Sequence, residues 1–185
     1  MSILFRPLNM GNLKIKNRFI RSATYEAMAN ESGEVSEKLL KFYRRLAKGG
    51  VGLIISGHLY VDPMGRAGKY QIGIHKDEMV KGLKEMVDAI HQEGGKVAFQ
   101  LSHAGRQTTK ELVGSTPIGP SAKGRDPVNF VKPEEMNSDQ INHAIKSFEK
   151  AAVRAVEAGA DAIQLHAAHG YLINQFLSPF FNERI

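Results

Sequence analysis

The sequence predicts an α/β protein built on a parallel sheet, and two features of the chain indicate this class. One unit occurs three times, at 46–55, 91–99 and 156–163. In each copy a helical stretch ends at a glycine signal, and a short apolar run follows it. Glycine closes a helix by taking a positive φ, and short apolar runs without strict alternation suit strands that are buried on both faces. With an opening strand at 19–23, the order becomes β-α-β-α-β-α-β, which is typical of parallel α/β folds.

The three helices are predicted from apolar positions at helical spacing. These positions are, in chain order, Leu39, Leu40, Tyr43, Leu46 and Ala47; then Val80, Leu83, Met86, Val87 and Ile90; then Ile141, Ala144, Ile145, Phe148, Ala151, Ala152, Ala155 and Val156. Ser138 is a candidate N-cap of the third helix. Before the opening strand, 13–15 is expected to belong to a small hairpin that turns at Gly11 and Asn12. The segment 108–137 holds four of the seven prolines and predicts a long functional loop.

Composition excludes several classes of protein. The 185 residues suffice for one domain with a sizeable core, and 42% hydrophobic with 24% charged residues argues against disorder. No apolar run approaches the ~20 residues that span a bilayer, and the first residues lack the apolar region of a signal peptide. Cysteine is absent, which excludes disulfides and thiolate metal sites and agrees with a cytoplasmic location.

The net charge of +6 does not indicate nucleic acid as a partner. Residues 1–50 hold 10 Lys/Arg and 4 Asp/Glu, whereas residues 51–185 hold 15 of each. The excess is scattered, without a basic run or a basic stripe with interleaved aromatic residues. We therefore expect neither nucleic acid nor a membrane as a partner.

Polar side chains follow each predicted strand, where chemistry collects in parallel α/β folds. Four of the seven histidines lie at such ends, namely His58, His103, His166 and His169, and one shared site is the natural hypothesis. His58 and His103 could equally be half-buried histidines that are satisfied by backbone groups. Gln100, on a buried strand, could find its partners in a neighbouring strand's backbone.

His166, His169 and Tyr171 follow the last strand within six residues, next to small residues that leave room for a ligand. Two chemistries fit them. In one, His166, His169 and His103 bind Zn²⁺ with an open coordination position, although Glu26 is the one obvious carboxylate at a strand end. In the other, two imidazole N–H groups bind a carbonyl oxygen as charge develops on it, and Tyr171 supplies a proton.

Several segments of the sequence resemble the FMN-dependent old yellow enzyme family, which comprises NADH:flavin oxidoreductases and ene-reductases. They are LFRPL at 4–8, LKIKNR at 13–18, QLSHAGR at 100–106, HAAHGYL at 166–172 and QFLSP at 175–179. The resemblance covers the whole chain. It implies a TIM (β/α)8 barrel with FMN at its C-terminal face, NADH or NADPH as the reductant and a small α,β-unsaturated carbonyl compound as the substrate.

The resemblance also implies the roles of individual residues and no metal site. The residues that would bind FMN are Ser22, Ala23, Thr24, Tyr25, the backbone of His58, Gln100 at the pyrimidine edge, and His166. His166 and His169 would bind the substrate's carbonyl oxygen, and Tyr171 would protonate the α-carbon after reduced flavin delivers hydride to the β-carbon. Tyr25 stands where many relatives have a Thr or Cys that tunes the flavin, and Ala27 where some have a substrate-contacting tyrosine. A different redox potential and substrate range are therefore expected.

The chain is short for the barrel that the resemblance implies. Such a barrel takes ~250 residues, so residues 1–185, with four strands, are predicted to form the N-terminal half of the FMN-binding domain. This half lacks the phosphate-binding loops that usually follow strands 7 and 8, and its first and fourth strands would be open edges. Three interpretations remain open: a flavin oxidoreductase; a truncated, inactive or partner-requiring fragment, completed by the missing half-barrel or by a homo-oligomer; and a metal-dependent barrel enzyme.

Overall fold

The computed structural model describes residues 2–184, so Met1 and Ile185, the ends of the predicted domain, lie outside the described residues. The described chain contains all the predicted strands and helices of the repeated units. In chain order its elements are β1 (Leu8–Met10), β2 (Leu13–Ile15), β3 (Ile20–Arg21), α1 (Glu37–Lys48), β4 (Leu53–Ile55), β5 (Leu59–Tyr60), α2 (Met79–Gln92), β6 (Val97–Ser102), α3 (Lys110–Val113), β7 (Ile118–Gly119), β8 (Glu134–Glu135), α4 (Ser138–Glu157), β9 (Ala162–Leu165) and α5 (Leu172–Leu177).

The central sheet confirms the predicted parallel α/β class. β3 pairs with β4, β4 with β6 and β6 with β9, all in parallel, so the four repeated strands lie side by side in chain order. β5 continues the β4 ladder along β6, with Ile54 opposite Val97 and Leu59 opposite Leu101. Each step between neighbouring strands passes through α1, α2 or α4, so the C-terminal ends of all four strands lie at one end of the sheet.

Short-range side-chain signals fix where the helices begin. Ser36 caps α1 by accepting a hydrogen bond from the backbone N–H of Leu39. Asn137 caps α4: its side chain accepts from the N–H of Gln140, and the Gln140 side chain accepts from the N–H of Asn137. This reciprocal pair satisfies two N–H groups that a helix start leaves free. The predicted cap, Ser138, is therefore wrong by one residue and is the first residue of the helix.

The main core lies between the sheet and the helices α1 and α2. It forms one cluster with Ile54, Phe99 and Leu101 of the sheet. The buried helix residues of this cluster are Leu39, Tyr43 and Ala47 of α1, Met79, Leu83, Met86, Val87 and Ile90 of α2, and Ala151 and Ala155 of α4. These are largely the predicted apolar positions, so helical spacing identified the packed faces of both helices.

The apolar stripe of α4 is only partly covered. The buried residues of this helix are all small: Ala144, Ser147, Ala151 and Ala155. Ile145 is 61% exposed and Val156 70% exposed, so part of the predicted stripe faces solvent. At the sheet edges, Leu165 of β9 is 57% exposed and Ile20 of β3 is 42% exposed. The first and fourth strands of the series therefore leave apolar side chains open, as predicted for half of a barrel.

The N-terminal hairpin is present where it was predicted, with β1 and β2 antiparallel and the turn at Gly11 and Asn12. Ile15 of β2 is fully buried in a small cluster with Leu53 and Ala98. These two residues stand near the starts of β4 and β6, so the hairpin packs at the N-terminal end of the sheet, opposite the end where polar residues collect.

The proline-containing segment 108–137 is mostly irregular, as predicted. Its regular parts are α3 and a two-residue parallel ladder between β7 and β8. None of the helices within residues 2–184 is long and apolar enough to cross a lipid bilayer.

Candidate active site

Five aromatic side chains from the ends of three strands meet at the C-terminal end of the sheet. Tyr25 follows β3, His58 follows β4, and His166, His169 and Tyr171 follow β9. The His166 ring centroid lies 5.2 Å from that of His169 and 4.6 Å from that of Tyr171. The His58 ring centroid lies 5.4 Å from that of Tyr171, 5.7 Å from that of His166 and 5.6 Å from that of Tyr25. We call these five side chains the ring cluster.

The segment after β3 is held in place by Glu26, which points into the protein. Its carboxylate accepts a hydrogen bond of 2.7 Å from the Tyr43 hydroxyl and forms an ion pair of 2.8 Å with Arg21. Tyr25 and Ala27, on either side of Glu26, are exposed, and Ala27 has a φ of +52°. The remaining predicted cofactor residues of this segment are the exposed Ser22 and Thr24 and the half-buried Ala23.

Histidine 103 lies apart from the ring cluster. It is 2% exposed, and its Nδ1 accepts a hydrogen bond of 3.0 Å from the backbone N–H of Gly105. Its ring lines a separate cavity of about 520 Å³ together with Asp62 and His143. The shared site predicted for four histidines therefore contains three. His103, which follows β6 directly, lines the separate cavity instead.

The side chains considered for a metal site do not form a ligand set in the described residues. Among residues 2–184, no group of three or more His, Cys, Asp or Glu side chains is placed to bind a metal ion. Glu26, the one carboxylate considered for such a site, is engaged by Arg21 and Tyr43. His103, the third histidine of that hypothesis, uses Nδ1 to accept from the backbone.

The loop that carries His169 and Tyr171 has an unusual backbone. His169 has a φ of +57° and Gly170 one of +74°. A Cβ on Gly170 would lie 2.3 Å from the Gln107 amide nitrogen, which donates a 2.9 Å hydrogen bond to the His169 carbonyl oxygen. Non-glycine residues with positive φ are uncommon and cluster at functional sites, where surrounding contacts hold them. Gln107 is one such contact.

A fully buried glutamine ties this loop to the end of β6. The Gln175 side-chain nitrogen donates to the carbonyl oxygens of Ala104 and Gly170, at 3.0 and 2.5 Å. Its oxygen accepts from the backbone N–H of Arg106 at 3.2 Å. One amide thus satisfies three backbone groups from two loops that lie about 70 residues apart in the chain, which fixes the loops against each other. No role was predicted for Gln175 or Gln107, since no local sequence pattern reveals contacts between residues this far apart in the chain.

Gln100 and Gln164 form a pair of amides on one face of the sheet. They lie opposite each other in the β6–β9 ladder, and the Gln100 side-chain nitrogen donates to the Gln164 oxygen at 2.6 Å. The partner of Gln100 is thus a side chain on the next strand, not the backbone that was considered. Both amides retain further donors and acceptors for a ligand.

Burial favours the uncharged forms of His58, His166 and Tyr171. It lowers the pKa of His58 to about 4, with additional repulsion from His166 and His169. Burial, and then the neighbouring His169, also lowers the pKa of His166. Burial raises the pKa of Tyr171, and Tyr25 adds to the effect. At neutral pH, His58 and His166 are therefore neutral imidazoles and Tyr171 holds its proton, so all three can act as hydrogen-bond donors.

Comparison with known proteins identifies the family. The model of the NADH:flavin oxidoreductase / NADH oxidase family matches residues 3–185. The chain belongs to this family. It is 41% identical over 186 residues to the NADH oxidase of Thermoanaerobacter brockii, covering 98% of this chain and 28% of that protein. It is 38% identical over 185 residues to the NADPH dehydrogenase of Listeria welshimeri, covering 100% of this chain and 54% of that protein.

Solved structures of the NADH:flavin oxidoreductase family superpose closely on the described fold. The old yellow enzyme homologue from Zymomonas mobilis gives a TM-score of 0.92 at 29% identity, covering 99% of this chain and 53% of that one. Morphinone reductase in complex with tetrahydroNAD gives 0.90 at 31% identity, covering 100% and 54%. This confirms the TIM (β/α)8 barrel fold class, with the chain forming a partial barrel. The chain spans about half the length, or less, of the relatives it matches.

Membership of the family confirms the cofactor class expected from the sequence, FMN with NADH or NADPH. The residues present fit one end of FMN. Neutral imidazole donors and the Gln100–Gln164 amide pair complement the carbonyl oxygens and ring nitrogens of an isoalloxazine. In barrels of this type the phosphate is usually bound after strands 7 and 8, beyond the four strands described. The described residues thus match the ring end of the cofactor, and the usual phosphate-binding loops follow strands beyond those described.

Proposed function

We propose that the chain forms the flavin-ring and substrate half of an oxidoreductase that reduces the activated C=C bond of an α,β-unsaturated carbonyl compound. The observation that carries the proposal is the packing of two imidazoles and a protonated phenol, His166, His169 and Tyr171, around one position. The name of morphinone reductase, one of the structural neighbours, also indicates reduction of an unsaturated ketone.

The residues that would hold the flavin are those expected from the sequence: Ser22, Ala23, Thr24, Tyr25, His58, Gln100 and His166. When bound, FMN supplies the redox chemistry, with a hydride that originates from NADH or NADPH and ends on the β-carbon of the substrate. Gln100 donates a hydrogen bond to the ring and tunes its electronics, and His166 contacts the ring while its single N–H group serves the substrate. Tyr25 and Ala27 face the open side of the site, where they limit the shape of the substrate.

The imidazoles of His166 and His169 donate hydrogen bonds to the carbonyl oxygen of the substrate. Negative charge develops on this oxygen only as the β-carbon accepts the hydride, so donors fixed in advance stabilise the transition state more than the ground state. The loop contacts of Gln107 and Gln175 supply this preorganisation. Tyr171, whose pKa is raised by burial, retains its proton and can transfer it from the hydroxyl group to the α-carbon.

We also propose that residues 1–185 are the N-terminal half of the FMN-binding domain, and that the other half-barrel is the partner that completes the site. Support comes from the matched length of the relatives and from an apolar groove of about 390 Å³ at the β9 edge. Its lining includes Ile145, Phe148 and Leu165, which a further strand and helix of a barrel would cover. A second copy of the chain at the same edge is the alternative partner.

The test is the oxidative half-reaction with the chain and an excess of FMN. The flavin is reduced anaerobically, 2-cyclohexenone is added, and flavin absorbance and saturated product are followed. We expect product formation that falls by about 10²–10⁴-fold in Tyr171→Phe, the usual contribution of a general acid, with no change in the affinity for FMN. A parental rate in Tyr171→Phe would show that Tyr171 is not the proton donor. Absence of enone reduction under saturating FMN would contradict the proposed activity of this chain.

A further inference from the structure

The imidazole of His58 lies within the ring cluster, whereas the family resemblance implied a role for its backbone. Its ring centroid is 5.4–5.7 Å from those of Tyr25, His166 and Tyr171. The residue is 8% exposed. The two ring nitrogens differ in their surroundings: Nδ1 has protein neighbours within hydrogen-bond distance, whereas Nε2 has none in the described part of the chain.

Gln71 fixes which ring nitrogen of His58 carries the proton. The Gln71 side-chain oxygen accepts a 2.7 Å hydrogen bond from the backbone N–H of Ala67, and this settles the orientation of the amide. The amide nitrogen therefore faces His58, where it lies 2.9 Å from Nδ1 and 2.9 Å from the carbonyl oxygen. Since an amide nitrogen only donates, Nδ1 of His58 accepts, and the proton of the neutral ring is on Nε2.

Ser102 completes the environment of Nδ1. Its hydroxyl oxygen lies 3.1 Å from Nδ1, 3.3 Å from the Leu59 carbonyl oxygen and 3.3 Å from the Gln71 amide nitrogen, so the hydroxyl can donate to Nδ1 while it accepts from Gln71. Both neighbours of Nδ1 are thus uncharged side chains that are held by backbone groups. Protonating Nδ1 would break the bond from Gln71, and the neighbouring His166 and His169 disfavour a positive charge on the ring.

Within residues 2–184, Nε2 of His58 makes no hydrogen bond, although its N–H group is a donor. This atom is not among the fully buried unpartnered side-chain atoms of the described residues, so its N–H group is accessible to a ligand. We propose that His58 is a third imidazole donor of the site, fixed by Gln71 with its N–H at Nε2, and that this N–H binds an acceptor atom of the ligand, a carbonyl oxygen or ring nitrogen. The identity of the ligand rests on the proposed function, whereas the position of the proton does not.

The position of the proton is tested in the chain without any ligand. Nitrogen NMR of ¹⁵N-labelled histidines distinguishes a protonated from an unprotonated ring nitrogen at each site. At about pH 7, we expect His58 to be neutral, protonated at Nε2 and unprotonated at Nδ1. Gln71→Glu keeps an acceptor for Ala67 but places a carboxylate oxygen at Nδ1, so Nδ1 should gain a proton. Gln92→Glu, an exposed change at the end of α2, should leave His58 unchanged. A proton on Nδ1 in the parent, or no response to Gln71→Glu, would overturn the proposal.

The ligand is tested with two probes, FMN and 2-cyclohexenone, each titrated separately while the Nε2 proton is observed. We expect that proton to shift with one probe, and we expect His58→Phe, which keeps a ring but removes the donor, to weaken that probe about three- to tenfold. A response to FMN assigns the N–H to the flavin, and a response to the enone assigns it to the substrate. If both probes bind without an effect at His58, the donor role is refuted while the proposed function stands. If neither probe binds, the ligand assignment and the proposed function are both refuted. The NMR result still decides which ring nitrogen of His58 carries the proton.

Discussion

The contact most open to a decisive test is the buried amide of Gln175. Gln175→Leu removes hydrogen bonds to Ala104, Gly170 and Arg106 while keeping a side chain of similar volume. Each bond contributes about 1 kcal/mol net, so three give about 3 kcal/mol. Because the backbone groups stay buried and lose their partner, we expect this full loss in the free energy of unfolding. That is a large share of the ~5–15 kcal/mol that stabilises a typical domain.

The same change should loosen the loop that carries the ring cluster. In the parent, the N–H of Leu172 donates to the carbonyl oxygen of His103 at 2.9 Å, across the contact that Gln175 secures. Hydrogen exchange of that amide should accelerate in Gln175→Leu more than exchange of amides in α1. Distances between the His166 and Tyr171 rings, followed by nuclear Overhauser effects, should become heterogeneous.

The assay is urea unfolding followed by circular dichroism, with Gln92→Leu as the matched control. Gln92 is exposed at the end of α2, and such surface changes usually alter stability by less than ~0.5 kcal/mol. If Gln175→Leu also stays below ~0.5 kcal/mol and Leu172 exchanges at the parental rate, the loops are held by other contacts and the account of the site is wrong.

Three further predictions follow from the described contacts. Gly170→Ala should destabilise more than Gly94→Ala, by about 1 kcal/mol in urea unfolding, because both residues have positive φ but only a Cβ at 170 displaces the Gln107 amide from its hydrogen bond to His169; equal losses would contradict this. Unfolding free energy should fall as pH drops from about 6.5 towards about 4, because unfolded His58 binds a proton that the folded state excludes, and His58→Phe should flatten this slope when unfolding is measured across that range. The isolated chain should lose FMN on gel filtration because it lacks the usual phosphate loops; stoichiometric FMN retained by a monomer would refute that expectation.

The sequence predicted what depends on local periodicity and missed what depends on distant contacts. Apolar spacing found α1, α2 and α4, and the glycine signals found the starts of β4, β6 and β9, because both are short-range features. It misplaced the α4 cap by one residue, since Asn137 and Ser138 are both good caps and only the reciprocal bond to Gln140 decides between them. The burial of α4 also differed, because the exposure of Ile145 depends on what packs beside the helix.

The candidate site shows the same division. Strand ends brought His58, His166, His169 and Tyr171 together as expected, because parallel strands place their C-terminal ends on one edge. His103 was wrongly included. It lies just beyond the end of β6, where side chains no longer follow the alternation of the strand. Gln71 and Gln175 were missed because a buried glutamine carries no distinctive local pattern. Their roles are visible only through bonds to residues 13 and 71 positions away.

The contacts that hold the site and the edges that leave the sheet open are separate features of the molecule. The bonds described for the ring cluster are made by Glu26, Gln71, Gln107 and Gln175, all within the described part of the chain. The open apolar side chains, such as Ile145 of α4 and Leu165 of the edge strand β9, take no part in those bonds. The donor geometry should therefore persist in the chain before any partner or cofactor binds. Completion of the barrel would then add affinity for FMN and cover apolar surface, rather than assemble the catalytic groups.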